Sequence, residues 1–140
     1  VLAKFLAGMA LILAMLLPTL VYPLVLAWYG HPDWGPVYSG YLGLLLLASL
    51  LNALGLALSA MTANQVVAAT LATGLSLLLW MIDTFAAVLP APWDELVLQT
   101  SLLAHFTPFA TGAMYLSDGG FFLCGTLLGL FLAVRALGRR

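Results

Sequence analysis

The spacing of the charged residues constrains this chain more than any other feature. Its 140 residues include only four basic and five acidic side chains, and 64% of the residues are hydrophobic. A soluble domain is about half apolar and about a quarter charged, so this chain lacks the charge to cover a water-facing surface. The composition predicts an integral membrane protein and argues against a water-soluble fold, a nucleic-acid-binding protein and a disordered tail.

The uncharged intervals predict four membrane spans. A hydrocarbon core about 30 Å thick takes roughly 20 helical residues. Uncharged intervals of 28, 49 and 16 residues separate Lys4 from Asp33, Asp33 from Asp83, and Asp118 from Arg135. The second interval is long enough for two spans. We therefore predict an all-α polytopic membrane helix bundle whose spans cover about residues 5–28, 37–61, 66–86 and 119–137.

One more uncharged interval, residues 96–117, is long enough to cross the membrane but is rich in polar groups. A lipid-facing helix would have to desolvate its amides, hydroxyls and imidazole. We predict instead that residues 93–116 form an outer re-entrant or interfacial helical segment of a single transmembrane domain, residues 1–140.

The positive-inside rule supports the same topology. All the basic residues lie near the two chain ends; they are Lys4, Arg135, Arg139 and Arg140. Four spans place both ends on one side of the membrane, and the rule makes that side the cytoplasm. Five spans would place the three arginines outside. We therefore predict a multi-pass protein with both termini cytoplasmic.

Small and polar residues recur at helical spacing on the second and third predicted spans. Steps of three and four place such residues on one face of each helix. The candidates are Ser49, Asn52, Ser59, Thr73 and Ser76. One interpretation is helix packing, because small residues let backbones approach and hydroxyls bond across helices. The other is a polar seam that lines a substrate path, with Asn52 as its best single candidate, since an amide at mid-membrane needs a partner.

Two further patterns concern helix geometry. Pro18 and Pro23 interrupt the first predicted span, which indicates either a static kink or a hinge near the outer leaflet. Gly125 and Gly129 on the last span have the small-xxx-small spacing that favours close helix contact, within one chain or between two.

Motifs for catalysis or cofactor binding are not found in this sequence. It has one lysine and no phosphate-binding loop, and its two histidines are not part of a His-Glu-x-x-His helix. No serine stands in a glycine-flanked turn typical of a nucleophile. The single cysteine excludes a disulfide scaffold. We therefore predict no catalytic residue, bound cofactor or metal site, and an intramembrane enzyme is the least favoured alternative.

Several stretches resemble permease subunits of type-2 ABC exporters, in particular the gliding-motility-associated subgroup. The most specific are the Pro-Asp-Trp-Gly turn at residues 32–35 and the Ser-Leu-Leu-x-His-Phe string at residues 101–106. The other similar stretches are residues 4–7, 36–43, 61–67 and 132–137. The similarity covers nearly the whole chain but only the last four of the family's usual six spans, so the first two would precede Val1 and the chain would be a fragment.

The resemblance implies a transmembrane permease subunit of an ATP-driven exporter in a bacterial inner membrane. Such a subunit works with a second permease copy or paralogue and with a separate ABC ATPase subunit, which binds and hydrolyses the ATP. The main coupling helix of the family would precede Val1. A minor cytoplasmic contact turn for the ATPase would remain here, at Thr62, Ala63 and Asn64.

The resemblance also implies that residues 93–116 correspond to the family's outer re-entrant helices, with a candidate outer gate at His105, Phe106 and Pro108. His105 has a simpler interpretation as an interfacial histidine bonded to backbone or water. For the whole chain, the alternative function is a non-transporting membrane subunit that anchors or assembles other proteins.

Overall fold

Seven helices form the fold over residues 1–138, the part of the chain that this computed structural model describes. They are α1 (Leu2–Leu16), α2 (Val21–Tyr29), α3 (Trp34–Met61), α4 (Gln65–Ala86), α5 (Trp93–Leu98), α6 (Leu102–Ala110) and α7 (Leu116–Leu137). Arg139 and Arg140, which belong to the predicted basic C-terminus, lie outside the described residues.

Four of the helical segments are long and apolar enough to cross a membrane. They are Leu2–Tyr29, which combines α1 and α2, and then α3, α4 and α7, with mean hydropathies of 2.3, 2.1, 1.8 and 2.0. The prediction of an all-α membrane bundle with four spanning helices is confirmed.

Polar capping residues decide where two of the spans begin. The Asp33 carboxylate accepts a hydrogen bond from the Gly35 amide at 3.1 Å, and α3 begins at Trp34. The Asn64 side chain accepts one from the Val66 amide at 2.9 Å in the same way. Such caps satisfy amides that have no partner within the helix. As a result α3 begins before residue 37, where hydropathy alone had placed the start of the span.

The first span bends at a 3-10 turn, Leu17–Leu20, that contains Pro18. The Thr19 hydroxyl donates to the Leu16 carbonyl at 2.6 Å and lies 2.8 Å from the Tyr41 hydroxyl of α3. Hydroxyls of this kind satisfy backbone groups that a proline break leaves open inside a membrane. The bend is therefore bonded to α3.

α3 is the central helix of the bundle. It packs against α1, α4, α6 and α7, and its contact with α7 is the most extensive. In contrast, α1 and α2 have no buried residue, and only Ala68 and Ala86 are buried on α4. A helix that is apolar on all sides and has protein neighbours on only one side is suited to contact lipid with the others.

α3 and α7 run parallel along a seam of small residues. The facing residues, from the start of each helix onward, are Leu50 with Gly125, Ala53 with Gly129, and Ala57 and Ala60 with Ala133. At this register the first residue of α3 extends about seven residues, or about 10 Å, beyond the first residue of α7. The Gly125–Gly129 pattern is thus used inside the chain.

The two described ends of the chain lie at the same end of the bundle. Val1 and Lys4 of the first span line one pocket together with Ala133 and Leu137 of α7. We call this the terminal end. α3 and α7 begin at the opposite end, and α4 stops there. We call it the hairpin end, after the pair of short helices α5 and α6 that follows α4. An even number of crossings requires this arrangement, as the four-span topology predicts.

Candidate functional site

α5 packs against α4, and α6 turns back along α3; we call α5 and α6 together the hairpin. Gly112, just after α6, lies against Pro36, and Phe109 lies against Gly43. At the other end of α6, Leu102 belongs to one buried cluster with Leu47 and other core residues. α6 is therefore antiparallel to α3 and covers only its first half, so the segment is re-entrant.

The sequence determines both ends of α6. The Ser101 hydroxyl accepts a hydrogen bond from the Ala104 amide at 3.2 Å and caps the helix start. After the helix, Gly112 has a φ of +90°, a conformation that residues with a Cβ rarely adopt. A Cβ at this position would also lie 3.2 Å from the Pro36 ring. The Ser101 cap thus sets the start of α6, and the turn at Gly112 ends the helix and leads the chain into α7.

A buried serine attaches α6 to α3. Ser39 is fully buried, and its hydroxyl donates to the Phe109 carbonyl at 2.6 Å. Nearby, a Cβ on Gly43 would lie 2.6 Å from the Phe109 Cβ, so only glycine allows this approach. A hydrogen bond and a close contact therefore hold the hairpin in place.

His105 connects three parts of the hairpin end. Its Nδ1 lies 2.8 Å from Oδ1 of Asp118 in the first turn of α7, and its Nε2 lies 3.0 Å from the Gln99 carbonyl oxygen after α5. The imidazole ring stacks on Phe121 of α7 with 4.0 Å between centroids. Asp118 is 8% exposed. The site is thus a partly buried acid–imidazole pair that joins the turn of the hairpin, α6 and α7.

The other two predicted gate residues have different surroundings. The Phe106 ring lies against Gly43 of α3 and 6.2 Å, centroid to centroid, from Trp80 of α4. Pro108 lies inside α6, and its carbonyl accepts from the Ala113 amide at 2.9 Å. The three residues share one short helix but face different partners. Their role as an outer gate stays a prediction.

Two members of the predicted polar seam contact different helices. The Ser49 hydroxyl lies 3.0 Å from the Thr126 hydroxyl of α7. The Asn52 amide donates to the Phe5 carbonyl of α1 at 3.0 Å. These bonds match the packing interpretation of the pattern and give the Asn52 amide its partner.

The remaining three seam residues do not meet the first two. Ser59 lines the pocket at the terminal end together with Lys4. Ser76 donates to the Ala72 carbonyl within α4 at 2.7 Å, and Thr73 is exposed on the same helix. Within this chain the five residues do not line one continuous path, and a substrate path along them stays a prediction.

The predicted contact turn connects α3 to α4 at the terminal end. The Thr62 hydroxyl donates to the Leu58 carbonyl at 2.9 Å, Asn64 caps α4, and Ala63 is exposed between them. The turn therefore presents a small surface whose two polar side chains already have backbone partners. Its contact with an ATPase stays a prediction.

Sequence reasoning missed Ser39, Gly43, Gln99 and Asp118. Ser39 and Gly43 have the same small-xxx-small spacing as Gly125 and Gly129, and this signal could have found them. No comparable signal marks Asp118, which the sequence analysis uses only as the start of the last uncharged interval. Its burial depends on how deeply the hairpin enters the bundle.

Comparison of this chain with known proteins does not assign a function to the site. No known protein family, curated protein or solved structure matches this chain. Within residues 1–138, no group of three or more His, Cys, Asp or Glu side chains is placed to hold a metal ion. The family resemblance of the sequence therefore stays a prediction.

Proposed function

We propose that this chain is the membrane-spanning part of a permease subunit of an ATP-driven ABC exporter. The supporting observation is the re-entrant hairpin of α5 and α6, which lies between the third and the last span. The resemblance to type-2 ABC permeases places outer re-entrant helices at this point of the chain. On this proposal the hairpin end faces outward and the terminal end faces the cytoplasm of a bacterial inner membrane.

Unequal packing within the bundle suits a subunit that changes conformation. α3, α7 and the hairpin share the buried core, whereas α1 and α4 have few or no buried residues. Helices with few buried contacts rearrange at low cost, while a packed core moves as a unit. On this proposal α1 and α4 shift against the α3–α7 core during the cycle.

The substrate path of this proposal lies between two permease chains. Thr73 and Gly74 are exposed on α4, on the outside of this chain. A second permease copy or paralogue facing α4 would enclose these small residues in a shared path. The ATP would be held by the ATPase subunit, which would contact Thr62, Ala63 and Asn64 at the terminal end.

ATP hydrolysis by the native complex tests the proposal. The tagged full-length protein is purified from its native host with its bound partners and reconstituted in lipid nanodiscs. We expect a partner with a phosphate-binding loop and ATP hydrolysis that depends on both proteins. Ala63→Asp should reduce the amount of bound ATPase, because it adds a charge to the contact turn.

His31→Asp is the matched control, because His31 is also exposed but lies at the hairpin end. It should leave the amount of bound ATPase unchanged. Equal loss in both variants, or a complex without any nucleotide-binding partner, would overturn the proposal. The second of these results would favour the non-transporting anchor or assembly subunit.

A further inference from the structure

Both ring nitrogens of His105 face oxygen atoms. Nδ1 lies 2.8 Å from the Asp118 carboxylate and Nε2 lies 3.0 Å from the Gln99 backbone carbonyl. A carbonyl oxygen can only accept a hydrogen bond, and so can an ionised carboxylate. A neutral imidazole has one N–H and could donate only one of these two bonds.

Satisfying both contacts therefore requires two protons in the His105–Asp118 pair. Either the ring is an imidazolium beside a carboxylate, or a neutral ring donates from Nε2 while a protonated Asp118 donates to Nδ1. In both forms the pair has no net charge and holds one proton more than a neutral imidazole beside a carboxylate. An uncompensated charge at such a poorly exposed site would be costly, which favours the neutral pair.

Two neighbours favour the imidazolium form. Asp118 lies in the first turn of α7, where the positive end of the helix dipole stabilises a carboxylate. The Phe121 ring stacks on the imidazole at 4.0 Å, and an aromatic face attracts a cation.

We propose that the His105–Asp118 pair is a proton-binding site that holds the re-entrant hairpin against α7. With the proton bound, the ring bridges the Gln99 turn and the start of α7. When the proton leaves, the ring keeps one donor, so either the bond to Gln99 or the bond to Asp118 is lost. This inference does not depend on ATP-driven transport.

Two other acidic side chains at the hairpin end bond to backbone amides, and a third is exposed. Asp83 on α4 accepts from the Thr84 amide at 2.9 Å, and Asp94 on α5 accepts from the Glu95 amide at 2.8 Å. Glu95 is exposed in the first turn of α5.

The two tyrosines of α3 contact other residues. Tyr41 bonds to Thr19, and the Tyr38 ring stacks on Trp34. Within residues 1–138, the His105–Asp118 contact is the one pairing of a basic with an acidic side chain within 4.0 Å. Proton exchange at this site therefore centres on these two residues.

Nitrogen-15 NMR of the histidine ring tests the proton count. The protein has two histidines, so His31→Gln leaves His105 as the only labelled ring. We expect both ring nitrogens to resonate as protonated while the hairpin is held in place, with the signal of an unprotonated ring nitrogen absent. If Asp118 instead holds the second proton, Nδ1 would resonate as a hydrogen-bonded acceptor and Nε2 as protonated. A ring with Nδ1 protonated and Nε2 unprotonated would overturn the inference.

Hydrogen exchange of the hairpin tests the holding role. Asp118→Ala, which removes every hydrogen-bonding atom of this side chain, should speed amide exchange over residues 99–106 by about tenfold, as expected for loss of one charge-assisted hydrogen bond. Asp94→Ala is the matched control, since Asp94 bonds only within the start of α5, and it should leave that exchange unchanged. Equal effects of the two variants, or no effect of Asp118→Ala, would overturn the holding role.

Discussion

The Ser39 hydroxyl is fully buried where α3 meets α6, and it donates to the Phe109 carbonyl at 2.6 Å. The carbonyl has one other donor, the Gly112 amide at the longer distance of 3.4 Å, so the hydroxyl makes the shorter of its two bonds. The bond lies at the C-terminal part of α6, where Pro108 and Gly112 already disturb the regular helix. One side chain of α3 thus contributes to holding the C-terminal end of α6.

Ser39→Ala should destabilise the folded protein by about 1 kcal/mol, because it removes the shorter of the two hydrogen bonds that the Phe109 carbonyl accepts and leaves the Gly112 amide at 3.4 Å as its donor. Ser76→Ala serves as the control, since the Ser76 hydroxyl bonds to Ala72 within its own helix and should change stability much less. Unfolding in mild detergent, followed by circular dichroism, measures both variants. Equal losses would show that Ser39 does not hold the hairpin.

For single residues, the sequence predicts what type of interaction a side chain needs better than it predicts which group provides it. The polar stripe on α3 predicted that Asn52 needs a partner, but the spacing could not name the Phe5 carbonyl of α1. Similarly, one interpretation of His105 gave it a backbone or water partner, and its Nε2 lies 3.0 Å from the Gln99 carbonyl oxygen. Asp118 could not be foreseen, because its proximity to His105 depends on the depth of the hairpin.

At the scale of helices, the α3–α7 contact depends on glycine. A Cβ at Gly129 would lie 3.0 Å from the Ala53 Cβ and 3.1 Å from the Ala53 backbone carbon. The backbone cannot move aside as a flexible side chain can. Since water does not drive membrane helices together, close packing of this kind accounts for much of their association.

Gly129→Val should separate α3 from α7 and destabilise the bundle by about 1–3 kcal/mol, as overpacking of a close contact does. Gly120→Val is the matched control on the same helix, because a Cβ at Gly120 meets no atom within 4 Å. Thermal unfolding in detergent should give a lower midpoint for Gly129→Val than for Gly120→Val. A similar midpoint for both variants would contradict the close contact.

The number and type of the spanning helices could be predicted because charge and hydropathy act over whole spans. Helix starts were less accurate, since the Asp33 and Asn64 caps rather than hydropathy decide them. The four-span topology implies that α3 and α7 run in the same direction. That these two helices pack against each other was not predicted, because it depends on which small residues of each helix face one another.

For the whole molecule, the structure places both described chain ends at the terminal end, and the residue 30–33 loop at the hairpin end. This arrangement defines which loops share a side of the membrane. From the positive-inside rule we predict that the terminal end faces the cytoplasm, because Lys4 and Arg135 lie there.

Cysteine labelling in intact cells should separate the two sides. In a Cys124→Ala background, His31→Cys should react with a membrane-impermeant maleimide from outside, whereas Ala63→Cys should react only after permeabilisation. Both positions are exposed. Labelling of both from outside would contradict the four-span fold, and the reverse pattern would contradict the orientation.

Because α3 extends beyond the start of α7, the position of α3 in the membrane depends on the thickness of the bilayer. The 28 residues of α3 extend about 42 Å, against a hydrocarbon core of about 30 Å, whereas the 22 residues of α7 extend about 33 Å. The excess turns of α3 carry the stacked rings of Trp34 and Tyr38, which favour the headgroup region. Longer lipid chains would immerse these turns, and shorter chains would tilt α3 together with the hairpin bonded to it.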